Sequence, residues 1–352
     1  DKGKSIYLDI DGAMSYAIVW LNGKLVGGWP YGYNSFRLDL TPYLKYGVDN
    51  QLAIRLDNPP NSSRWYPGAG IYRNIWLTKA APVHVAHWGT FVYTPEVSAA
   101  SAKVDLAIQL ENHSNISQNI NAVTEIFLLD KNLEKTGRPV AAYPNKNVHL
   151  PAQQKVTISS SATVRQPLLW QPLPAPQQHL YTAVTRLYLN GKLADEYETR
   201  FGIRTVKFDA LKGVLVNGKL LRIQGVNQHH DLGALGGAFN TRAAERQLEM
   251  LKEMGCNAIR LAHNPPAPEL LDLTDRMGFL VIDEIFDCWE RGKTPLDFHL
   301  IFPDWHEPDL RAFIRRDRNH PSVVAWSFGN EVGEQYTAEA GAALAGQLHN
   351  MV

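Results

Sequence analysis

The hydrophobic pattern of this 352-residue chain changes near residue 205, and this change constrains the fold more than any other feature. Before that point, short segments alternate apolar and polar residues, as half-buried antiparallel strands do. After it, short apolar runs alternate with segments that carry apolar residues at helical spacing. Such alternation predicts parallel βα units. The sequence therefore predicts a multidomain protein with β-sandwiches first and an α/β region last.

The part before residue 205 divides into two β regions, residues 1–81 and residues 82–205. Asn22-Gly23 in the first region and Asn190-Gly191 in the second predict tight hairpin turns. The strand spacing of the second region predicts an immunoglobulin-like sandwich. Residues 166–178 are rich in Pro and Gln, a composition that also suits a linker or a proline-rich ligand. Because a strand pattern follows at once, we expect an ordered connection inside the sandwich.

The third region, residues 206–352, is expected to contain four βα units. The predicted helices are residues 243–254 and 268–277, and the predicted strands are residues 220–226, 256–262, 279–285 and 323–328. Four units make half of an eight-stranded parallel barrel. Val352 then falls in the helix after the fourth strand. We expect the full polypeptide to continue beyond it and to begin before Asp1.

Polar side chains follow each of the four predicted strands, where a parallel barrel has its active site. They are Asn227, Gln228, His229, His230 and Asp231, then Arg260, His263 and Asn264, then Asp283, Glu284, Asp287 and Trp289, and finally Asn330 and Glu331. Each has a structural alternative. Arg260 could pair with Asp283 or Glu284, and Glu331 could begin a helix capped by Asn330. Their joint placement nevertheless predicts a functional site.

Three strings in the third region resemble motifs of glycoside hydrolase family 2, which holds β-galactosidases, β-glucuronidases and β-mannosidases. They read GVNQHH, AIRLAHNP and RDRNHPSVVAWSFGNE. The resemblance implies a jelly-roll sugar-binding domain over 1–81 that is incomplete at its start, an immunoglobulin-like sandwich over 82–205, and the first half of a (β/α)8 TIM barrel over 206–352. It makes Glu331 the general acid/base and Asn330 a contact to the sugar hydroxyl beside the anomeric carbon. It makes His229 and His263 pocket residues and Arg260 a residue that orients the nucleophile.

Two further strings add candidates. VIDEIFDCWERGK resembles the third-strand motif and places Asp287 among the expected sugar contacts. SRWYPGAGIYRNIW resembles a family loop that leans over the catalytic pocket, so Arg64 is a candidate substrate contact. The alternative for Arg64 is that it docks one domain on another. In the third-strand motif, Cys288 and Glu290 replace the Glu and His of magnesium-binding β-galactosidases. Because a thiol is a poor ligand for a hard cation, we expect no catalytic magnesium and no other cofactor.

Hydrolysis of an acetal needs a proton on the leaving oxygen and support for an oxocarbenium-like carbon. Retaining glycosidases use two carboxyl groups about 5 Å apart for this purpose. Glu331 would donate the proton and later activate water as a base. The family's nucleophile is a Glu at the end of the seventh barrel strand, which would lie beyond Val352. We therefore expect this chain to be inactive alone.

The favoured function is a retaining exo-β-glycosidase that hydrolyses terminal non-reducing β-D-galactosides of an oligosaccharide or glycan. A β-glucuronidase or another family 2 glycosidase is the nearest alternative. A non-catalytic carbohydrate-binding protein is the alternative from a different class. A nucleotide-binding protein has little support, because no GxGxxG follows a strand.

Composition narrows the range of partners. The 35 basic residues balance the 35 acidic ones, so neither a nucleic acid nor an anionic membrane surface is expected as a partner. The sequence has no apolar run long enough to span a bilayer. The nine Trp and fourteen Tyr could stack on sugars or fill sandwich cores. Cys256 and Cys288 are expected to be free thiols. Homo-oligomerisation stays open, and the resemblance suggests the periplasm or the cell exterior, with the cytoplasm as an alternative.

Overall fold

The first region is a sandwich of short antiparallel strands in the computed structural model, which describes residues 1–352. Its strands are β1 (Ser5–Ile10), β2 (Ala13–Met14), β3 (Ala17–Leu21), β4 (Lys24–Trp29), β5 (Phe36–Asp39), β6 (Leu52–Arg55), β7 (Gly70–Ile71) and β8 (Ile75–Ala80). The sheets have the orders β5-β1-β8 and β4-β3-β6, with β2 and β7 as a separate pair. Asn22 and Gly23 have φ values of 54° and 76° and join β3 to β4. The predicted hairpin is therefore confirmed.

The second region is a two-sheet antiparallel sandwich. Its strands are β9 (Val83–Val97), β10 (Ser101–Asn112), β11 (Gln118–Leu128), β12 (Ala141–Ala142), β13 (Lys146–Leu150), β14 (Lys155–Arg165), β15 (Tyr181–Leu189) and β16 (Lys192–Phe201). One sheet has the order β14-β10-β9 and the other β12-β11-β15-β16, with β13 also paired to β11. Val104, Leu106 and Ile108 alternate with more exposed neighbours and enter the core between the sheets. Asn190 and Gly191 form the predicted turn between β15 and β16.

The third region contains a parallel sheet with helices, as predicted. Its elements are β17 (Val206–Asp209), β18 (Gly213–Val216), β19 (Lys219–Leu221), β20 (Gly225–Gln228), α1 (Thr241–Glu253), β21 (Ala258–Leu261), α2 (Pro268–Met277), β22 (Leu280–Glu284), α3 (Phe302–Asp317), β23 (Val323–Ser327) and α4 (Glu339–Met351). The parallel sheet has the order β20-β21-β22-β23 and is open, with β20 and β23 at its edges. Both predicted helices and the last three predicted strands are confirmed within a few residues. No helix combines the length and apolar character needed to cross a bilayer.

The prediction of one strand over residues 220–226 is wrong. Asn217 and Gly218 have φ values of 51° and 74° and reverse the chain, so β18 pairs with β19 in a small antiparallel sheet. The parallel strand begins only at Gly225, which pairs with Ala258. Residues 220–226 read LLRIQGV, and their mixture of apolar and polar residues continues across the break between β19 and β20, so the pattern does not show where one strand ends and the next begins.

Helix α3 was not predicted. Two prolines, Pro303 in the first turn and Pro308 further on, hide its periodicity. Proline is tolerated in the first turn because the N–H groups there have no partner within the helix. The helix buries Phe302, Leu310 and Phe313 in a cluster that also contains Phe286 of the third region and Tyr31 of the first sandwich. The charged residues that lead into β23 are therefore the end of a helix.

The Pro- and Gln-rich segment, residues 166–178, is ordered, as predicted. Trp170 has no solvent exposure, and its backbone N–H donates to the Ile203 carbonyl at 2.9 Å. Its indole Nε1 donates to the carbonyl of Asp275 in α2 at 2.8 Å. The segment therefore also docks the second sandwich on the parallel sheet's helices, a role that its composition did not indicate. Cys256 and Cys288 are free thiols, as predicted.

The first sandwich packs directly on the third region. Tyr31 and Tyr33 share a buried cluster with Phe286 and Phe302, and the Tyr31 hydroxyl donates to the Ile285 carbonyl at 2.5 Å. Arg73, which is also buried, donates to the carbonyls of residues 265 and 266 at 2.8 and 3.0 Å. Both contacts lie just beyond the carboxyl ends of β21 and β22. The first sandwich is thereby fixed at the end of the sheet where the candidate residues emerge.

Candidate active site

The carboxyl ends of β20 to β23 lie side by side. The register pairs Gln228 with Leu261, Arg260 with Ile282, and Glu284 with Ser327. Parallel strands carry their ends to one edge of a sheet, so the residues that follow them become neighbours. The structure thus brings together residues that lie about 100 positions apart in the sequence, from His229 to Glu331.

Glu284 lies at the centre of this edge with no solvent exposure. Its carboxylate accepts hydrogen bonds from Arg260 Nη2 at 2.7 Å, His263 Nδ1 at 2.6 Å and Ser327 Oγ at 2.6 Å. Of the two acids foreseen for Arg260, Glu284 is therefore its partner. Asp283 is buried elsewhere, and burial together with the neighbouring Asp317 raises its pKa well above the usual value.

Asp287 and Asn330 are joined directly. Oδ1 of Asp287 accepts from Arg64 Nη2 at 2.8 Å, Asn330 Nδ2 at 2.8 Å and Lys293 Nζ at 2.9 Å. Burial opposes ionisation of this carboxyl, but these three donors outweigh it and hold its pKa below the usual value. Oδ2 has only a 3.4 Å contact from Arg64 Nε. Oδ2 is therefore the oxygen that can accept a hydrogen bond from a ligand.

The side-chain oxygen of Asn330 joins the Asp287 cluster to Arg260. Asn330 Oδ1 accepts from Arg260 Nη2 at 3.0 Å. One residue therefore connects the Glu284 ion pair with the Asp287 cluster. The alternative interpretation, in which Asn330 caps a helix that begins at Glu331, is wrong. The next elements are a short 3-10 turn, Gly333–Tyr336, and then α4.

Glu331 follows Asn330 and has a φ of 44°, in the left-handed region that costs a residue with a Cβ about 1–3 kcal/mol. Its side chain is 72% exposed, so the carboxylate projects into open space at the end of the sheet. Its Oε2 lies 3.5 Å from Arg64 Nη1. The acid is neither buried in packing nor separated from the residues predicted to surround it.

Arg64 reaches this edge from the first sandwich and contacts both Asp287 and Glu331. Its loop rests on the loop after β20. Gly68, with a φ of 73°, lies so near Gly237 that an added Cβ would come 3.4 Å from its Cα, and His230 Nε2 donates to the Pro67 carbonyl at 3.1 Å. Arg64 therefore joins the two regions at the same place where it could contact a ligand.

His229 and His263 lie together against Trp65. The two imidazole centroids are 5.4 Å apart, and the Trp65 ring lies 5.2 Å from His229 and 5.6 Å from His263. Burial, with His263 nearby, lowers the pKa of His229. A neutral imidazole can both donate and accept a hydrogen bond, which suits a sugar hydroxyl.

A cleft extends from His263 and Asp287 toward the first sandwich. Its walls carry the aromatic side chains of Tyr16, Tyr31, Tyr33, Trp65 and Phe298. Aromatic faces and a few polar groups are a common lining of small-molecule sites. Cys288 and Asp297 lie in the wall as well, and Cys288 Sγ donates to Asp297 Oδ1 at 3.3 Å. Burial, reinforced by Asp297, raises the pKa of the Cys288 thiol, so it stays protonated and is a poor ligand for a hard cation.

Sequence reasoning missed Lys293. Its Nζ donates to Asp287 Oδ1 and to the Asn330 carbonyl, the latter at 2.5 Å. Its backbone N–H donates to Asp297 Oδ2 at 2.7 Å. A lysine in a loop is usually a solvated surface residue, so no local signal distinguishes it. Only the fold shows that this cation holds the peptide that precedes Glu331.

Comparisons with known proteins point to one family. Residues 207–350 match a model described as glycosyl hydrolases family 2, TIM barrel domain, and residues 83–204 match a second model described as glycosyl hydrolases family 2. The chain is 49% identical to beta-galactosidase BoGH2A of Bacteroides ovatus over 96% of its own length and 38% of that protein. It is 35% identical to a putative beta-glucuronidase of Formosa agariphila over 96% of its own length and 31% of that protein.

Among solved structures, a glycosyl hydrolase family 2 member from Bacteroides cellulosilyticus superposes with a TM-score of 0.93 at 39% identity. That match covers 99% of this chain and 44% of the other. The chain thus spans less than half the length of each of these three proteins. The two family models together account for most of its residues, and this chain belongs to glycosyl hydrolase family 2.

Proposed function

We propose that the protein containing this chain is a retaining exo-β-glycosidase that releases terminal non-reducing β-D-galactosyl units from an oligosaccharide or glycan. The observation that carries the proposal is the position of Glu331. It is an exposed carboxylate in a constrained backbone conformation, beside Arg64 and directly after an asparagine that is held by Asp287 and Arg260. A general acid needs this combination of fixed position and access to the leaving oxygen.

In the proposed mechanism, Glu331 gives its proton to the departing glycosidic oxygen while a second carboxylate attacks the anomeric carbon. Glu331 then removes a proton from water, which attacks the glycosyl-enzyme and releases the sugar. Glu284 is unsuited to the attacking role, because it is fully buried and already accepts from Arg260, His263 and Ser327. The nucleophile expected from the family is a Glu on a later barrel strand.

A neutral sugar is the proposed substrate, and the cations that this chain supplies at the sheet edge give no support to an uronate. Arg64, Arg260 and Lys293 supply three cations, and each lies within 2.9 Å of a carboxylate oxygen. A glucuronide carboxylate needs a cation that is free to pair with it, and none of these three is. The relative with 49% identity is named a beta-galactosidase, which supports the same choice. A β-glucuronidase stays the second candidate, since the 35% identical relative is named a putative beta-glucuronidase.

The test uses the full-length protein and the substitution Glu331→Gln, which keeps the size of the side chain and removes the transferable proton. We expect kcat on a β-galactosyl oligosaccharide to fall by about 10²–10⁴-fold. With a nitrophenyl β-galactoside, the rate of the first step should fall less, because the nitrophenolate leaving group needs little protonation. Glu253→Gln, an exposed acid at the end of α1 and away from the candidate site, is the matched control and should retain activity.

Undiminished oligosaccharide hydrolysis by Glu331→Gln would reject the assignment of the acid. The wild-type protein should also be compared on nitrophenyl β-galactoside, β-glucuronide and β-mannoside. Preference for the glucuronide would replace the proposed substrate. Binding of a glycan without hydrolysis of any of them would favour a carbohydrate-binding protein instead.

A further inference from the structure

We propose that His84, Glu111 and His113 form a binding site for a divalent transition-metal ion, with Zn²⁺ as the best match. The three residues lie in the second sandwich, on and just after β9 and β10, where that sandwich meets β1 of the first. None of them belongs to the candidate active site. A bound ion would join the two sandwiches.

The geometry of the three side chains supports this site. His84 Nε2, His113 Nε2 and a Glu111 carboxylate oxygen all lie within 4.8 Å of one another. Glu111 Oε2 is hydrogen-bonded to His113 Nε2 at 2.8 Å and lies 3.8 Å from His84 Nε2, so a bound ion would replace the proton of that hydrogen bond. Zinc bonds of about 2.0–2.2 Å in a tetrahedron place neighbouring ligand atoms roughly 3.3 Å apart. The two distances bracket that value, so small shifts would complete the coordination.

The Tyr7 hydroxyl occupies a fourth position. Its oxygen lies 3.4 Å from His84 Nε2 and 3.3 Å from His113 Nε2, close to the same tetrahedral spacing. Tyr7 belongs to β1 and is buried. The fourth ligand would be this hydroxyl or a water molecule that it holds. Two imidazoles and one carboxylate oxygen form a ligand set that zinc accepts.

The groups behind the ligands are also those that a metal site requires. His84 Nδ1 lies 2.7 Å from the Ala81 carbonyl, which can only accept, so the proton sits on Nδ1 and the lone pair of the neutral ring is on Nε2. Metal-binding histidines usually have such a partner on the second nitrogen. Lys155 Nζ lies 2.5 Å from Glu111 Oε1 and leaves Oε2 to face the histidines.

A second cluster, Asp272, Asp275 and His320, has similar spacing but carries no such proposal. Asp272 is already paired with Arg200 at 2.7 Å. Asp275 accepts from His320 Nδ1 at 2.6 Å and from the Ser322 backbone at 3.0 Å. Asp272 and Asp275 are therefore each held by a donor that an ion would not replace, whereas Glu111 Oε2 meets only the histidines of its own cluster.

The test is a Co²⁺ and Zn²⁺ titration of the purified protein after treatment with a chelator. A Cys256→Ser background removes the partly exposed thiol as a competing ligand. We expect one Co²⁺ per chain with the visible absorption of four-coordinate cobalt, displacement by Zn²⁺, and a melting temperature that rises with Zn²⁺ concentration.

His113→Ala and Glu111→Gln should each lower the affinity for Zn²⁺ by tenfold or more, while His349→Ala, at an exposed position in α4, should not. His113 is partly exposed, so its variant should fold, and circular dichroism checks this. Absence of the cobalt bands in the parent protein overturns the proposal. Bands that persist unchanged in both ligand variants overturn it as well.

Discussion

The guanidinium of Arg260 lies 2.7 Å from the carboxylate of Glu284, and Glu284 has no solvent exposure. The two residues stand on the neighbouring strands β21 and β22 at the end of the sheet where the site forms. Arg260 is partly exposed, whereas the buried charge of Glu284 is balanced by its contacts with Arg260 and His263. This ion pair therefore stabilises the base of the candidate site.

Removing the cation should destabilise the protein more than removing the charge of the acid. Arg260→Ala leaves Glu284 as a buried charge with fewer partners, and we expect a loss of about 3 kcal/mol in the free energy of unfolding. Glu284→Gln should cost less, because a neutral amide can still accept from Arg260. Urea unfolding of both variants measures the difference. A loss below about 1 kcal/mol in Arg260→Ala would contradict the role given to this pair.

Lys293 should matter for activity although it does not lie at the predicted reacting atoms. Lys293→Met removes the donors to Asp287 and to the Asn330 carbonyl, so the peptide that carries Glu331 loses its anchor. Charge-assisted hydrogen bonds are worth about 1.5–3 kcal/mol, so kcat/KM of the full-length protein should fall roughly ten- to a hundredfold.

The matched control for Lys293 is Lys212→Met, at an exposed position before β18. Its kcat/KM should equal that of the parent protein. A positioning role also predicts that kcat falls more than KM rises, and that Lys293→Arg restores part of the activity. Equal activity in Lys293→Met and Lys212→Met would show that the anchor is not needed.

Asp309 should make the contact between the first sandwich and α3 sensitive to pH. Its Oδ1 accepts from Trp29 Nε1 at 2.7 Å and from Asn34 Nδ2 at 2.9 Å, while burial raises its pKa to about 7. An unfolded chain has an Asp pKa of about 3.9. The folded state therefore binds the Asp309 proton more tightly than the unfolded chain does. The stability that this proton contributes is lost as the pH rises from about 4 through 7.

Asp309→Asn keeps an acceptor for both donors and removes the titration. We expect the free energy of unfolding of the parent protein to fall by a few kcal/mol more between pH 5 and pH 8 than that of Asp309→Asn. Glu307→Gln, an exposed residue on the same helix, is the control and should follow the parent protein. Urea unfolding at the two pH values measures the effect. Parallel pH profiles for Asp309→Asn and the parent protein would contradict it.

Local chemistry made much of the fold predictable. Asn-Gly pairs predict tight hairpins because both residues adopt positive φ at low cost, and both predicted hairpins are present. Helical spacing identified α1 and α2. The same local rules failed at residues 219–228, where one pattern of apolar and polar residues spans two strands, and at α3, where prolines mask the periodicity.

The sequence by itself determined which residues stand at the ends of the parallel strands, because a strand's end follows from the end of its apolar run. It thereby nominated Glu331, Asn330, Asp287, Arg260, His229 and His263 as neighbours, and a loop motif added Arg64. Only the tertiary structure decided how they pair. In the structure, Arg260 forms its ion pair with Glu284, and Lys293 donates a hydrogen bond to the Asn330 carbonyl. Hydrogen bonds and ion pairs depend on distances of a few ångströms between distant parts of the chain, and these distances arise only when the sheets and sandwiches pack together.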